Sequence, residues 1–567
     1  RRRHPVLSER AVRLRVSIGV ALVLASAACR SHDTPAPAVS ALPEAAPPAS
    51  LIAELSLGNP KQTWQSLRLL GGDLAQALPS RLPVLLATSL SLPPAAAGNL
   101  DETVPMVGVL LAEKDRAEPD AVLGMHVVSG AELVASLTLG DGAKFRRVEL
   151  GPRLVRLVSA PGAVELDGAL GVSGNYLLLA TKPEALVDAG RFVAEQVSKR
   201  ARTEPGITLH AGQNVLGGGL SRALREAWQA RHSQLASRDR AEREAKGRAP
   251  DFADPEVLLA GADGMVESWL SVLETSREAS LSLTPEADRL RVELLLTPSA
   301  EGAAALLASE LVVGSSAPLL QLPASAGVGL SLRGDPQATE GSLGASLAKL
   351  FGSRLSEPES ARLVKALDAF SKSRRGATTF GLVREPGPAL LVRCELADGA
   401  AFSETLADVV SLLELPAING WLAGTLGKPT FELSKARDGT RRAKLRFARG
   451  AAGAGAPLPK SLSLSWQARD GVGIVVASAD GALEPSAFEQ AAPLSSVSWF
   501  TQSPHPVFEH AALGLFADAR LALPGGPDNA PILLSFGKKG SQIALLVDVS
   551  VPALSALARR FALDRSP

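Results

Sequence analysis

Residues Gly124 to Phe145 read GMHVVSGAELVASLTLGDGAKF, and residues Gly381 to Phe402 read GLVREPGPALLVRCELADGAAF. They align without a gap at an offset of 257, sharing Gly124/Gly381, Gly130/Gly387, Leu133/Leu390, Leu139/Leu396, Asp141-Gly-Ala/Asp398-Gly-Ala and Phe145/Phe402. Three further pairs lie in the same order. Leu55 to Thr63 matches Leu330 to Thr339 with one insertion, Tyr176 to Thr181 matches Gly473 to Ser478, and Leu290 to Leu296 matches Ile543 to Val549. Any one such match could arise by chance between apolar strands. Four collinear matches, at offsets from 253 to 297, point instead to a duplicated chain. The expected repeats span 51–312 and 328–567, joined by a connector over 313–327 whose Gly, Ser, Ala and Pro are linker residues.

Within each repeat, short alternating runs precede amphipathic ones. Arg289-Leu-Arg-Val-Glu-Leu-Leu-Leu296 has the period of two of a half-buried strand, and Thr297-Pro298 then predicts a helix through Leu311 with Thr as its N-cap. Leu545 to Val549, followed by Pro552 to Phe561, repeats the design. Asp141-Gly and Asp438-Gly are turn signals, the second between alternating residues as in a hairpin. Neighbouring hairpins imply antiparallel sheet, with helices covering one face, so the expected class is α+β in two tandem duplicated domains. One stretch breaks the symmetry. Gly219 to Arg248 is helical in pattern, with Leu220, Leu224, Ala227, Trp228 and Leu235 along one stripe, and a second helix near Asp254 to Thr275 folds back on it. A helical hairpin over 219–275 is therefore expected as an insertion in the first repeat, either packed by that stripe or held out for a protein partner.

The N-terminus carries an address. Arg1 to Arg15 form a basic segment, Val16 to Ala25 an apolar one, and Ser26-Ala27-Ala28-Cys29 closes it with small side chains. This is signal-peptide anatomy over 1–28, with an apolar run too short to span a bilayer. Position 1 is Arg rather than Met, which points to an unusual start or a fragment. The small residues before Cys29 resemble a bacterial lipobox, which implies lipidation at Cys29 and cleavage before it. Arg30 after the Cys, where Asp would retain the protein at the inner membrane, implies outer-membrane sorting. Residues 30–50 hold five Pro and six Ala in 21 positions, so 29–50 reads as a semi-rigid tether. Cys394 is the second of two cysteines and sits on the apolar side of an alternating run, where a buried structural thiol is expected.

Composition narrows the function. A chain of 567 residues, 46% hydrophobic and 21% charged, is a folded multidomain protein. Residues 1–28 hold six Arg and one Glu, a contribution of +5, so their removal takes the net charge from +1 to −4. An acidic body with 4% aromatics argues against nucleic acid as a partner.

Catalytic patterns are sparse. His505-Pro-Val-Phe-Glu-His510 approaches the H-x-x-E-H zinc pattern, but its histidines are five apart and do not share a helical face. Ser346-Leu-Ala-Lys349 matches S-x-x-K, without the S-D-N and K-T-G that accompany it in penicillin-recognising enzymes. Gly217-Gly-Gly219 before a helix only weakly resembles an anion-binding turn. No catalytic, cofactor-binding or metal site is therefore assigned. The strongest charge feature is Lys435 to Arg449, with seven basic residues against one Asp. Its strand directs Arg442, Lys444 and Arg446 to one side, a possible face for anionic lipid or an anionic envelope polymer, or simply the wet side of a sheet. Arg146, Arg147, Arg153 and Arg156 occupy a comparable region of the first repeat, which predicts a paired basic surface.

The lipobox-type signal, Pro/Ala tether and tandem α+β body resemble uncharacterised bacterial envelope lipoproteins. That resemblance implies an outer-membrane protein facing the periplasm or the surface, moored to the membrane through Cys29. The expected role is a non-catalytic binding or scaffold module for an envelope protein or an anionic lipid or polymer. A periplasmic carrier of lipid or another apolar ligand is the first alternative, and a hydrolase the second.

Overall fold

The computed structural model describes residues 44–71, 75, 78–90, 92–112, 119–139, 143–161, 168–246, 255–315, 317–334, 344–345, 348, 355–420, 429–437, 439–447, 461–479, 481, 483–501, 510–518 and 530–556. Cys29, Ser346, Lys349 and His505 lie outside them, as do 1–28 and most of the tether. Both strands and helices are abundant, so the chain is α+β.

The first ten strands are β1 (Leu51–Gly58), β2 (Met106–Leu111), β3 (Asp120–His126), β4 (Phe145–Gly151), β5 (Leu154–Ser159), β6 (Ala169–Ser173), β7 (Tyr176–Ala180), β8 (Gly206–Gly212), β9 (Ser276–Pro285) and β10 (Arg289–Pro298). The next ten are β11 (Ala326–Arg333), β12 (Arg374–Val383), β13 (Ala389–Leu396), β14 (Pro429–Lys435), β15 (Arg441–Phe447), β16 (Ser461–Arg469), β17 (Val472–Ala479), β18 (Ala511–Asp518), β19 (Pro531–Lys539) and β20 (Gln542–Ser550). Among the described residues, all pair antiparallel in one 20-stranded sheet. From one edge the order is 4-5-6-7-3-2-1-8-9-10. From the other edge it is 14-15-16-17-13-12-11-18-19-20. The two runs have the same order and meet where β10 pairs with β20. At that junction Glu293 faces Leu546, the residue it matches in the Leu290/Ile543 alignment.

Three of the four sequence matches fall on strands in equivalent places: β1 with β11, β7 with β17, and β10 with β20. The gapless match does not. Gly130–Thr138 is helix α1, whereas Gly387 to Glu395 lies largely in β13. Ser129 explains the helix, since its Oγ accepts from Glu132 N at 3.3 Å. The apolar run from Ala389 has no such start signal, and it becomes a central strand with Ala389, Leu391, Cys394 and Leu396 buried and Leu390 exposed. The equivalent of α1 is α2 (Gly399–Ser411), capped by Asp398 Oδ1, which accepts from Ala400 N and Ala401 N.

Other expectations also shift. Thr297 and Pro298 end β10 rather than opening a helix, because Pro298 pairs with Ser276 through a bulge. The helix begins at Ala303, after Gly302, whose φ of 104° suits glycine. The 313–327 stretch is no free linker. It contains the turn Ala317–Leu320, and Leu319 and Leu322 are fully buried. Ala326 already belongs to β11.

Helices cover both faces of the sheet, not one. On the back, α1 and its neighbours bury Leu133, Leu137, Leu157 and Leu170, and α2 buries Phe402 against Trp466 and Cys394. Each large side chain so buried contributes about 1.5–3 kcal/mol relative to exposure. Burial pushes the Cys394 thiol pKa up, consistent with a structural role. On the front, the helix Pro183–Phe192 and the π-helical turn Val193–Val197 pack over β2, β3, β6 and β7. Segments around Leu319, Phe488 and Leu494 cover Leu391, Val476, Phe516 and Leu533 in the second run.

Between β8 and β9 stand two long helices in contact, α3 (Ser221–Lys246) and α4 (Pro255–Glu274). The expected stripe is only partly inward: Leu224 and Ala227 are exposed, whereas Leu220, Trp228 and Leu235 are half-buried. Polar contacts also join the two helices. Arg225 Nε reaches Glu267 Oε1 and Arg225 Nη2 reaches Glu274 Oε1, both at 3.1 Å. Trp228 Nε1 donates to Asp263 Oδ1 at 2.8 Å. Trp269 of α4 meets Phe536 of β19 edge-on at 5.6 Å, so these helices touch the second run. Among the described residues, no helix is long and apolar enough to cross a membrane.

Candidate functional site

The front face of the central strands is unlike the rest of the sheet. Cross-strand register places Ser56, Thr208, Ser282, Glu293, Leu546 and Ser535 in one row, through β1, β8, β9, β10, β20 and β19. Glu54, His210 and Ser280 stand in the next row. At about 4.8 Å between strands, the six strands give a polar floor about 24 Å across. It lies between the helical cover of the first run and the cover of the second.

Two hollows open on this floor. The first, of about 250 Å³, is lined by Glu54, Ser56, Thr208, His210 and Ser280 from the strands, and by Val197, Arg200 and Arg202 beyond the helical cover. Arg200 Nη2 lies 3.0 Å from Glu54 Oε1, and His210 Nε2 lies 3.1 Å from Glu278 Oε1. Ser280 is 6% exposed, and its Oγ is buried without a hydrogen-bond partner. Such a hydroxyl costs about 1–3 kcal/mol when left unmatched.

The second hollow, of about 370 Å³, includes Arg291, Glu293, His510, Ser535, Lys538 and Lys539. It adjoins a buried ionic cluster at the junction. Asp548, fully buried, accepts from Arg291 Nε at 2.9 Å, and Arg289 Nη1 is 3.6 Å from it. Arg289 is also fully buried, pairs with Asp288 at 2.7 Å, and lies 5.2 Å from the Trp499 ring centroid. Burial works against the Arg289 charge, but the hydrogen bond to Asp288 and the carboxylates of Asp288, Asp548 and Glu286 outweigh it and raise its pKa.

The basic strand is β15, second from one edge. Its alternation is as expected: Ala443 and Leu445 are buried, Arg442 and Arg446 exposed. Acidic neighbours answer the charge. Arg442 Nε is 2.8 Å from Glu484 Oε1, Arg446 Nη2 is 3.5 Å from Glu432 Oε2, and Lys444 lies opposite Glu432 in register. Arg146 and Arg147 on β4 and Arg156 on β5 occupy the opposite end of the sheet, so the two basic regions do not form one surface. Of the expected histidine pair, His510 borders the second hollow. Gly217 to Gly219 lie in a π-helical turn that continues directly into α3.

Sequence reading missed the hollows because their walls come from segments more than two hundred residues apart. One signal was present: Ser280, Ser282 and Thr284 alternate with Leu281 and Leu283.

No family model and no curated protein matches this chain. Among solved structures it is similar to a chain in "Structure of crystal form IV of TP0453", at 10% identity over 44% of this chain and 97% of that one, with a TM-score of 0.20.

Proposed function

We propose that the protein is a non-catalytic binding or scaffold module of the bacterial cell envelope, lipidated at Cys29 and moored to the outer membrane by its Pro/Ala tether. Its partner is an envelope protein or an anionic lipid or polymer, met on the polar floor between the two helical covers. The observation that carries this reading is that floor: a polar sheet face with two hollows, lying between the helical cover of the first run and the apolar cover of the second. The body is read as a tandem duplication related by a pseudo-two-fold at β10–β20. Its support is the shared strand order and the facing of Glu293 by its own match Leu546. On the same reading α3 and α4 are an insertion. The first run has 63 residues between β8 and β9, numbers 213 to 275, and the second has only 12 between β18 and β19, numbers 519 to 530. The Arg442/Lys444/Arg446 face remains a secondary contact, reduced by its acidic neighbours.

A carrier of apolar ligand is the second reading. It is favoured by Leu332, Leu382 and Leu390, exposed at 39, 51 and 38% on three adjoining strands.

The test has two parts. Cells grown in radiolabelled palmitate yield labelled protein, and Cys29→Ser abolishes the label; label retained in the variant removes the anchor. Crosslinking and co-purification of the intact lipoprotein from its own envelope, with protein and lipid mass spectrometry, returns a defined partner. Co-purification of lipid alone, in stoichiometric amount, replaces the scaffold reading with the carrier.

A further inference from the structure

The first hollow is lined by more cationic than anionic residues, two arginines against one glutamate. Arg200 and Arg202 line it at its exposed rim, and Ser56, Thr208 and Ser280 line its strand side. The one carboxylate in the lining, Glu54, already accepts from Arg200. The other nearby carboxylate, Glu278, engages His210. Ser280 adds an independent observation. It is more than nine-tenths buried on the floor of the hollow, directly across the β8–β9 ladder from His210, and its hydroxyl has no partner. Most buried hydroxyls are hydrogen-bonded, and one left unmatched beside a cavity marks a place where another molecule completes the pattern.

The surplus of positive charge favours an anionic ligand, guanidinium groups favour oxyanions, and hydroxyls can donate to or accept from the rest of it. The volume of about 250 Å³ equals about eight water volumes at ~30 Å³ each, room for one sugar-sized body. We propose that this hollow binds a small hydroxylated oxyanion, a carboxylate or phosphate carried on a sugar-like body, with Arg202 and Ser280 among its contacts. The proposal rests on the binding-module reading and names the chemistry that one site of that module takes. Such a group can be a free metabolite or one unit of an acidic polymer.

Calorimetric titration of the full-length protein tests it with glucose 6-phosphate, glucuronate and plain glucose. Saturable binding of one or both charged probes, with glucose at least tenfold weaker, is the expected result, and the ranking of phosphate against carboxylate identifies the group. Arg202→Ala lowers affinity at least fivefold. Ser280→Ala lowers it at least threefold, while the unliganded variant melts no lower than the parent because an unmatched hydroxyl has been removed. Ser173→Ala is the control: it deletes another buried unpartnered hydroxyl, on β6 outside the hollow, and leaves affinity unchanged. Absence of saturable binding by both charged probes, equal binding of glucose, or parental affinity in both Arg202→Ala and Ser280→Ala overturns the proposal. Partner capture from the envelope is scored separately. If capture persists while the probes fail, the hollow loses its ligand and the module reading stands; if the probes bind while capture fails, the reverse holds.

Discussion

The junction of β10 with β20 and the outer pair β14–β15 use the same chemical pair, arginine with a carboxylate, to opposite ends. At the junction Arg289 and Asp548 are wholly buried, and the polar groups around them must be matched or the fold suffers. Between β15 and β14, Arg446 and Glu432 are 58% and 65% exposed, and water competes for both. Solvent exposure, rather than the number of ion pairs, separates a contact that fixes register from one that decorates a surface.

Three substitutions probe that contrast. Asp548→Ala should have the largest effect, about 3 to 5 kcal/mol lost in urea unfolding, because it strands two guanidinium groups beside a buried cavity. A loss below about 1 kcal/mol would mean that Asp288 and Glu286 suffice, and the junction would resemble the surface after all. Asp101→Asn should fall between the extremes, at about 1 kcal/mol near neutral pH. Asp101 Oδ1 accepts from the Thr103 hydroxyl at 2.6 Å, and Oδ2 lies 3.2 Å from His126 Nδ1. The Thr103 side-chain bond is the leading cause that holds its pKa below the usual 3.8, with burial opposing and His126 assisting. Its folded pKa being depressed, the stabilisation is complete above the ordinary value and drains away as the pH falls through the lowered one. Parent and variant should therefore converge in acid, below about pH 4; a gap that persists there assigns the effect to packing instead. Arg446→Ala should cost the least, under about 0.5 kcal/mol, and the cost should shrink further in high salt. A larger, salt-insensitive loss would show that β15 is tied down more firmly than its exposure suggests.

Much of the secondary structure was legible because the start of β10 alternates with period two, because β20 is a short apolar run ended by Pro552, and because α3 and α4 are long and well separated by Ala249-Pro250. Boundaries were less so. Thr297-Pro298 has the chemistry of a helix start, but the bulged pairing of Pro298 with Ser276 extends the strand through it. The gapless repeat misled because Leu133 and Val134 on a helix resemble Leu390 and Leu391 on a strand when only apolarity is compared. The junction and the hollows were beyond local reading. Arg291 and Asp548 are 257 positions apart, and only the partnering of β10 with β20 unites them. Sequence patterning specifies which side of a strand is wet, but not which distant strand shares the wet side.

The mirrored arrangement of the two runs has one more consequence. Each offers its last strand to the other, so the inward rims are mutually consumed and the array stops at two. Were the two runs drawn apart, both rims would be bared at once, and each would present an unpaired strand edge to another copy of the chain.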